Sequence, residues 1–382
     1  MADRFSTSLP YFSGEAFHRL AWRFKTLSPI FLNGLKLKRS SKARFRLVVA
    51  IVFVSVLPFI ATCSGPHDSA VRPFGPRAPW NVPVTRLRQH PDSDIFVDRL
   101  WREAPANLPG NFNLGFDEYT YPIYYAQDAT GLYPVVLDNG AELSGKTIPW
   151  NPAWQPAPGT DAQVVILDRE KGFEWDLWQV RFDGKTVHAS NGSRVSGDYR
   201  VKEDGHPPSR GVGIAYLAML ARPHEFEQGA ILHALSMPIR NTDGDYFVAP
   251  ATKLEHPGRM RDGIPEGMRF ALNVSDVDIQ EWLDGMPKGM RKSTLQSARI
   301  IARALRDYGW FITDTAGGAT FQFESRLTAG KDWAELGLDY WEVDDSHVYP
   351  RDLLDRLLKP ERIYAVVPSD EYPADLRARP SR

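Results

Sequence analysis

Residues 161–178, DAQVVILDREKGFEWDLW, decide the fold that the sequence predicts. The apolar run VVIL leads into the polar turn sequence DREKG, and the aromatic-rich run FEWDLW follows it. Two such runs joined by a short turn are typical of a β-hairpin. Because side chains alternate between the faces of a strand, we expect Glu174, Asp176 and Trp178 to share one face of the second strand.

Strand and turn signals of the same kind continue on both sides of this hairpin. Short β-branched or aromatic runs alternate with turn sequences such as DNG at 138–140 and DG at 183–184. Local patterns predict helices at 214–220, 275–283, 293–308 and 352–358, and Gly309 ends the third of them. The sequence therefore predicts an α+β fold that is mainly β, most simply a jelly-roll-like antiparallel sandwich with a few packed helices.

The N-terminal region carries the signs of export. A basic cluster at 36–46 precedes an apolar run of 16 residues at 47–62, and Cys63 follows it directly. This order is typical of a signal or membrane anchor that keeps the N-terminus in the cytoplasm. The sequence IATC at 60–63 resembles the lipobox of bacterial lipoproteins, which predicts lipidation of Cys63. A lipoprotein, an uncleaved transmembrane helix and a cleaved signal remain open. All three predict a membrane-anchored or secreted protein whose bulk is extracytoplasmic.

The charge of the remaining chain argues against a nucleic-acid partner. Beyond residue 65 the chain has 36 Lys and Arg against 45 Asp and Glu, a balance near −9. Phosphate contacts require clustered cationic side chains, which this composition does not provide. Cys63 is the only cysteine, so an exported domain has no disulfides and depends on its apolar core.

Composition divides the chain into four regions. Residues 1–63 form the basic region with its signal or anchor, and residues 64–95 are predicted to be a Pro-rich tether. Residues 96–370 are predicted to form a single globular domain, and residues 371–382 a flexible tail.

Four motifs carry a resemblance to a known group of proteins. They are GTDAQVVILDREKGFEWDLWQV at 159–180, LAMLARPHEF followed by ILHALSM at 217–237, PEGMRF at 265–270, and ARALRDYGWFITDTAGG at 302–318. In this order they resemble an uncharacterised family of secreted bacterial proteins of the actinomycete type. The resemblance covers residues 121–323 and implies export, without implying a catalytic assignment.

A second resemblance involves Glu174, Trp175 and Asp176. Laminarinase-type β-jelly-roll glycosidases carry a similar Glu-x-Asp on an inner strand, followed by a further Glu. Here Trp178 and Gln179 stand where that Glu is expected, which argues against a retaining mechanism of the same kind.

The candidate catalytic residues are Asp176, Glu174, Asp314 and His233. A glycosidase requires two carboxyl groups that flank the bond, and we expect Asp176 to be one, with Glu174 or Asp314 as the other. Asp314 ends a predicted strand before a Gly-Gly turn. His233 interrupts an apolar strand and would suit proton abstraction in a lyase, although a buried core histidine is the alternative.

Aromatic side chains supply the candidate sugar contacts. Trp178 lies on the same predicted face as the acids, and Tyr124 and Trp310 are further candidates for substrate binding. Aromatics at this density are also typical of a protein core.

Three interpretations follow. The first is an exported carbohydrate-active enzyme, a glycoside hydrolase or polysaccharide lyase acting on an extracellular or cell-wall glycan. The second is a non-catalytic polysaccharide-binding or cell-envelope module that uses the same groove. The third makes the two strand acids ordinary solvent-facing residues of a sheet. The partners expected are a polysaccharide or oligosaccharide and, through the N-terminal segment, the cytoplasmic membrane. HExxH, CxxC, P-loop and GxSxG motifs do not occur, so no metal and no cofactor are expected.

Overall fold

The computed structural model of the chain describes residues 74–103, 112–139, 143–196, 210–259, 261–344 and 347–377. The predicted export segment, including Cys63, and residues 64–73 lie outside these ranges. Within the described ranges, no helix is long and apolar enough to cross a membrane.

Sixteen strands and five α-helices form in the described part of the chain. The strands are β1 (Asn113–Gly115), β2 (Ile123–Tyr125), β3 (Gly131–Leu137), β4 (Thr147–Trp150), β5 (Val164–Asp168), β6 (Phe173–Trp178), β7 (Arg181–Phe182), β8 (Val187–Ala189), β9 (Asn191–Val195), β10 (Leu235–Ile239), β11 (Arg269–Leu272), β12 (Trp310–Thr315), β13 (Thr320–Gln322), β14 (Trp341–Asp344), β15 (His347–Tyr349) and β16 (Ile363–Val366). The helices are α1 (Ser93–Glu103), α2 (Pro223–Glu227), α3 (Asp276–Asp284), α4 (Lys292–Asp307) and α5 (Arg326–Glu335).

Two four-stranded sheets form a sandwich in the first part of the fold. Their strand orders are β2-β5-β6-β9 and β4-β3-β8-β7. The predicted hairpin is confirmed, since β5 and β6 pair antiparallel with Val165 opposite Asp176. Side chains such as Trp175 and Leu177 of β6 pack with Trp150 of the other sheet, so one face of β6 lies in the sandwich core. The other face, which carries Asp176, points away from that core.

A second, mixed sheet lies in the later part of the chain and carries the largest core. Its order is β10-β12-β11-β16, with β10 and β12 parallel. Helix α4 buries Ala298, Ile301 and Leu305 in this core, as the apolar periodicity of 293–308 predicts. Gly309, with φ at +69°, turns the chain from α4 directly into β12. That connection fixes where β12 begins and therefore the position of Asp314 within it.

The predicted class is confirmed: the fold is α+β and mainly β. The sandwich differs from an antiparallel jelly roll, because β2 pairs parallel with β5 and β3 pairs parallel with β8. The reason lies in the connections. The chain between β2 and β5 crosses to the other sheet and back, and such a crossover returns the strand in the same direction.

Both ends of the globular domain differ from expectation. Trp80 is fully buried against Val212 and Phe311, so residues 74–95 pack on the domain and do not form a tether. At the other end Tyr372 and Leu376 are buried, so residues 371–377 do not form a flexible tail. The composition of these two segments predicted an extended or flexible backbone. Their few large apolar side chains instead anchor both segments to the core.

Candidate functional site

Glu174 and Asp176 lie on the face of β6 that points away from the sandwich core. Asp176 is fully buried and Glu174 is nearly so, because residues 210–220 cover this face. The backbone N–H of Tyr216 donates to Oδ2 of Asp176 at 3.0 Å, and that of Leu217 donates to Oε1 of Glu174 at 2.7 Å. The interpretation of these acids as solvent-facing residues is therefore wrong, and neither acid lies in an open groove.

The two acids act as one proton-sharing pair. Their carboxyl groups are hydrogen-bonded to each other. Burial raises the pKa of Glu174, and burial together with the Glu174 carboxylate raises the pKa of Asp176 well above its usual range. Burial and the mutual hydrogen bond therefore favour a proton shared by the pair.

Arg210 lies beside this pair and is fully buried. Its guanidinium donates to Gln322 Oε1 at 2.5 Å and to Ser236 Oγ at 2.6 Å. It also donates to the carbonyl oxygens of Tyr216 at 2.7 Å and Ala218 at 2.9 Å. The charge of Arg210 opposes the increase in pKa of both strand acids. A buried cation is thus surrounded by polar groups from the sandwich, from the covering segment and from β10 and β13.

A second carboxyl pair, Asp314 and Glu255, lies closer to the surface. Glu255 Oε2 accepts the backbone N–H of Thr315 at 2.7 Å and also the Thr315 hydroxyl. Asp314 Oδ2 accepts the N–H of Gly211 at 3.3 Å. Burial, followed by the Glu255 carboxylate, raises the pKa of Asp314 well above its usual range. Asp314 is therefore the partner that holds the proton.

Asp314 opens into a cleft of about 240 Å³, which we call the acidic cleft. Asp161 lines the same cleft, together with Tyr119, Gln163, Gln322 and the turn 315–317. Gln322 also accepts the hydrogen bond from Arg210, so the buried cation supports the wall of the cleft. The acidic cleft thus presents two carboxyl groups, the Gln163 amide and the Tyr119 ring to a ligand.

Asp161 differs from Asp314 in its surroundings. The indole N–H of Trp178 and the amide of Gln163, at 3.1 Å from Oδ2, both donate to the Asp161 carboxyl group. Partial burial raises the pKa of Asp161, and these two hydrogen bonds lower it. Burial has the larger effect, so the pKa of Asp161 is raised, although less than that of Asp314.

No protein family, curated protein or solved structure matches this chain. The assignment of a function therefore depends on the residues of the acidic cleft.

The sequence-predicted site residues are only partly brought together. Asp314 lines the cleft, and Trp178 contacts Asp161, which lines it too. Tyr124 instead stacks on Trp154, with ring centroids 4.8 Å apart. Trp310 is fully buried in the main core, where no sugar ring can reach its face, so its proposed role in binding is corrected to packing.

His233 is a buried core histidine. Its Nε2 lies 2.8 Å from Oε1 of Glu225 and its Nδ1 lies 2.8 Å from the carbonyl oxygen of Ala234. Neither partner lines the acidic cleft. The structure therefore does not bring His233 together with the carboxyl groups, and proton abstraction by this residue loses its support.

Asp161, Glu255 and Arg210 are the site residues that the sequence reasoning missed. All three lie in irregular segments, where neither strand alternation nor helix periodicity marks a residue as buried. One feature of the sequence could have indicated Asp161, because it lies shortly before the apolar strand β5. Among the described residues, no group of three or more His, Cys, Asp or Glu side chains is arranged to hold a metal ion.

A stability prediction concerns Glu266, which is completely buried and accepts the N–H of Glu255 at 3.0 Å. Burial raises the pKa of Glu266 from 4.5 to about 7. A carboxyl with a raised pKa in the folded state contributes stability that is fully present below pH 4.5 and is lost as the pH rises through about 7. We expect the Tm to be several degrees higher at pH 5 than at pH 8, and Glu266→Gln to reduce this difference.

Thermal melts at the two pH values check this expectation. The matched control is Glu335→Gln, which removes an exposed carboxyl group that pairs with Lys331 on α5. An unchanged pH dependence of the Tm in Glu266→Gln would contradict the assignment of this titration to Glu266.

A second prediction concerns Gly211, whose lack of a side chain lets the carboxyl pair approach the backbone. An added Cβ would lie 2.8 Å from Cγ of Asp314 and 2.9 Å from Cδ of Glu255, closer than real contacts of this kind. We expect Gly211→Ala to displace the Asp314 carboxyl group and to lower about tenfold any turnover that depends on this group, as small displacements of reacting groups do.

Gly330→Ala is the matched control, because its Cβ would meet only Arg326 Cβ at 3.7 Å in α5. Turnover and Tm of both variants are measured together. Full activity of Gly211→Ala would mean that the position of Asp314 is not critical.

Proposed function

We propose that the protein is an exported carbohydrate-active enzyme that hydrolyses an extracellular or cell-wall glycan in the acidic cleft. The observation that carries this proposal is that Asp161 and Asp314 line one cleft in which burial raises the pKa of Asp314 well above its usual range and raises that of Asp161 less. Two carboxyl groups with separated pKa values are the arrangement that acid–base cleavage of a glycosidic bond requires.

Asp314 is the proposed general acid. Its raised pKa favours the protonated form, and its place on the wall of the cleft makes this proton available to a bound ligand. When the glycosidic bond breaks, the leaving oxygen takes the proton from Asp314. The adjacent Glu255 carboxylate holds the proton on Asp314 until that step.

Asp161 is the proposed second carboxyl group. Hydrogen bonds from Trp178 and Gln163 favour its ionised form. As a carboxylate it would activate a water molecule or stabilise the positive charge that develops on the sugar ring. In this proposal Asp314 is protonated and Asp161 is ionised before the reaction. During hydrolysis Asp314 gives its proton to the leaving oxygen.

Other residues of the cleft suit a sugar. The ring of Tyr119 is 45% exposed and offers an apolar face for stacking. The amide of Gln163 can bond sugar hydroxyl groups, whereas the amide of Gln322 is already bonded to Arg210 and to the carbonyl oxygen of Tyr119. Glu174 and Asp176, first expected to be catalytic, are reassigned as supporting residues because they are buried beneath the covering segment.

Export is part of the same proposal. The basic cluster, the apolar run and Cys63 support secretion or anchoring to the cytoplasmic membrane, with lipidation as one route. The alternative function is a non-catalytic module that binds polysaccharide in the acidic cleft. Such a module would bind a sugar through the Tyr119 ring and the Gln163 amide. It does not require carboxyl groups with different pKa values.

The test is an assay of the full chain against bacterial and plant polysaccharides. Reducing ends and the absorbance of unsaturated uronates are followed together. New reducing ends without that absorbance are expected for a hydrolase, and added absorbance would identify a lyase instead. Binding to an insoluble glycan without either signal would support the binding module, and the absence of all three signals would overturn the carbohydrate proposal.

A further inference from the structure

A second cleft lies on the other side of the turn 315–317. Its volume is about 530 Å³, and its lining includes Arg240, His256 and Arg259. Thr315, Ala316 and Gly317 line both this cleft and the acidic cleft. A single extended ligand can therefore occupy both clefts by crossing this turn.

The second cleft differs from the acidic cleft in charge. Arg240 and Arg259 are both exposed at its wall, although the chain beyond residue 65 has an excess of acidic residues. One acid near this cleft is Glu255, whose Oε1 lies 3.2 Å from Nε2 of His256. The other carboxylate oxygen of Glu255 accepts from Thr315, so this acid faces the turn as well as the histidine.

The turn between the clefts allows close approach of a ligand. A Cβ at Gly317 would have no atom within 4 Å, and Ala316 carries only a methyl group. A ligand can therefore lie against the backbone of this turn without displacing a side chain.

We propose that the second cleft binds the negatively charged group of an anionic glycan whose neighbouring sugar lies in the acidic cleft. This inference rests on the proposed function and adds the substrate class. Guanidinium groups bind carboxylates and sulfate or phosphate esters with charge-assisted, often bidentate, hydrogen bonds. Two arginines at one cleft match a uronate or an ester-bearing sugar better than a neutral one.

The experiment measures binding by titration calorimetry with the full chain carrying Asp314→Asn, so that the ligand is not consumed. The probes are a galacturonic acid hexamer, the same hexamer with methyl-esterified carboxyl groups, and a sulfated oligosaccharide. Arg240→Gln with Arg259→Gln is compared with Lys185→Gln, which removes one exposed charge from the turn between β7 and β8.

The charged hexamer is expected to bind more tightly than its ester, and added salt is expected to weaken it. The double arginine variant is expected to lose about tenfold in affinity for the charged hexamer and nothing for the ester, as loss of charge-assisted hydrogen bonds implies. The Lys185 variant should match the parent. If only the sulfated probe depends on the arginines, the anion site stands with an ester as its ligand.

Three outcomes separate this inference from the proposed function. Arginine-dependent binding by a wild-type chain that turns over no glycan would overturn the hydrolase and keep the anion site. Turnover of glycans with equal affinity for the charged hexamer and its ester would overturn the anion site alone. No binding of either charged probe would also overturn it.

Discussion

Replacing Asp314 with Asn is expected to lower kcat on the glycan substrate by about 10²- to 10⁴-fold, the range that general acids contribute. Asparagine has nearly the same shape and keeps an oxygen that can accept the N–H of Gly211. It has no acidic proton to give to the leaving oxygen. The loss should therefore appear in kcat, while KM changes little.

The stability of this variant provides an independent check. Because burial raises the pKa of Asp314, its ionised form is unfavourable in the folded protein, and that cost disappears in the Asn variant. The Tm of Asp314→Asn at pH 8 should therefore equal or exceed that of the wild type. Asp332→Asn on α5 is the matched control and should leave both kcat and Tm unchanged. Activity of Asp314→Asn within twofold of wild type would remove Asp314 from the catalytic role.

Replacing Arg210 with Met is expected to lower the free energy of unfolding by about 3–5 kcal/mol, because several buried acceptors lose a charged donor at once. Methionine fills much of the volume but leaves the carbonyl oxygens of Tyr216 and Ala218 without their donor. It also removes the positive charge that offsets the buried acids Glu174 and Asp176. Denaturant unfolding at pH 7 measures this loss.

Arg269→Met is the control that separates charge from packing. Arg269 is as deeply buried as Arg210, but its guanidinium bonds carbonyl oxygens and the Tyr372 hydroxyl. Both variants should therefore be destabilised at pH 7. Only Arg210→Met should be destabilised more at pH 8 than at pH 5, because without the cation the buried carboxyl groups have still higher pKa values. Equal losses at both pH values would show that Arg210 acts through packing and hydrogen bonds alone.

The sequence predicted best those elements that local patterns determine. The hairpin of β5 and β6 follows from two apolar runs around a polar turn, and α3 and α4 follow from caps and periodicity. Helices predicted at 214–220 and 352–358 do not form. Met219 and Arg356 both have positive φ, near +65°, which a helix does not allow. Tertiary contacts override the local preference in these segments.

The sequence predicted only some residues of the candidate site, because local patterns do not show which distant segments pack on a strand. Strand alternation placed Glu174 and Asp176 on the face opposite the sandwich core, as the structure has it. Alternation does not tell whether a later segment covers that face, and residues 210–220 do so from about forty positions downstream. Asp314 was recognised because it stands before a Gly-Gly turn. Its partner Glu255 comes from an irregular segment without any such signal.

The position of Arg210 limits how this protein can be divided or recombined. Its hydrogen bonds reach Ser236 of β10 and Gln322 of β13, and its charge acts on the acids of β6. A fragment with only the sandwich would keep two acids and lose their cation, while the remaining fragment would keep a cation without its acids. Neither fragment therefore keeps the complete set of interacting groups. An exchange of segments between related chains would have to transfer four residues together: Glu174, Asp176, Arg210 and Gln322.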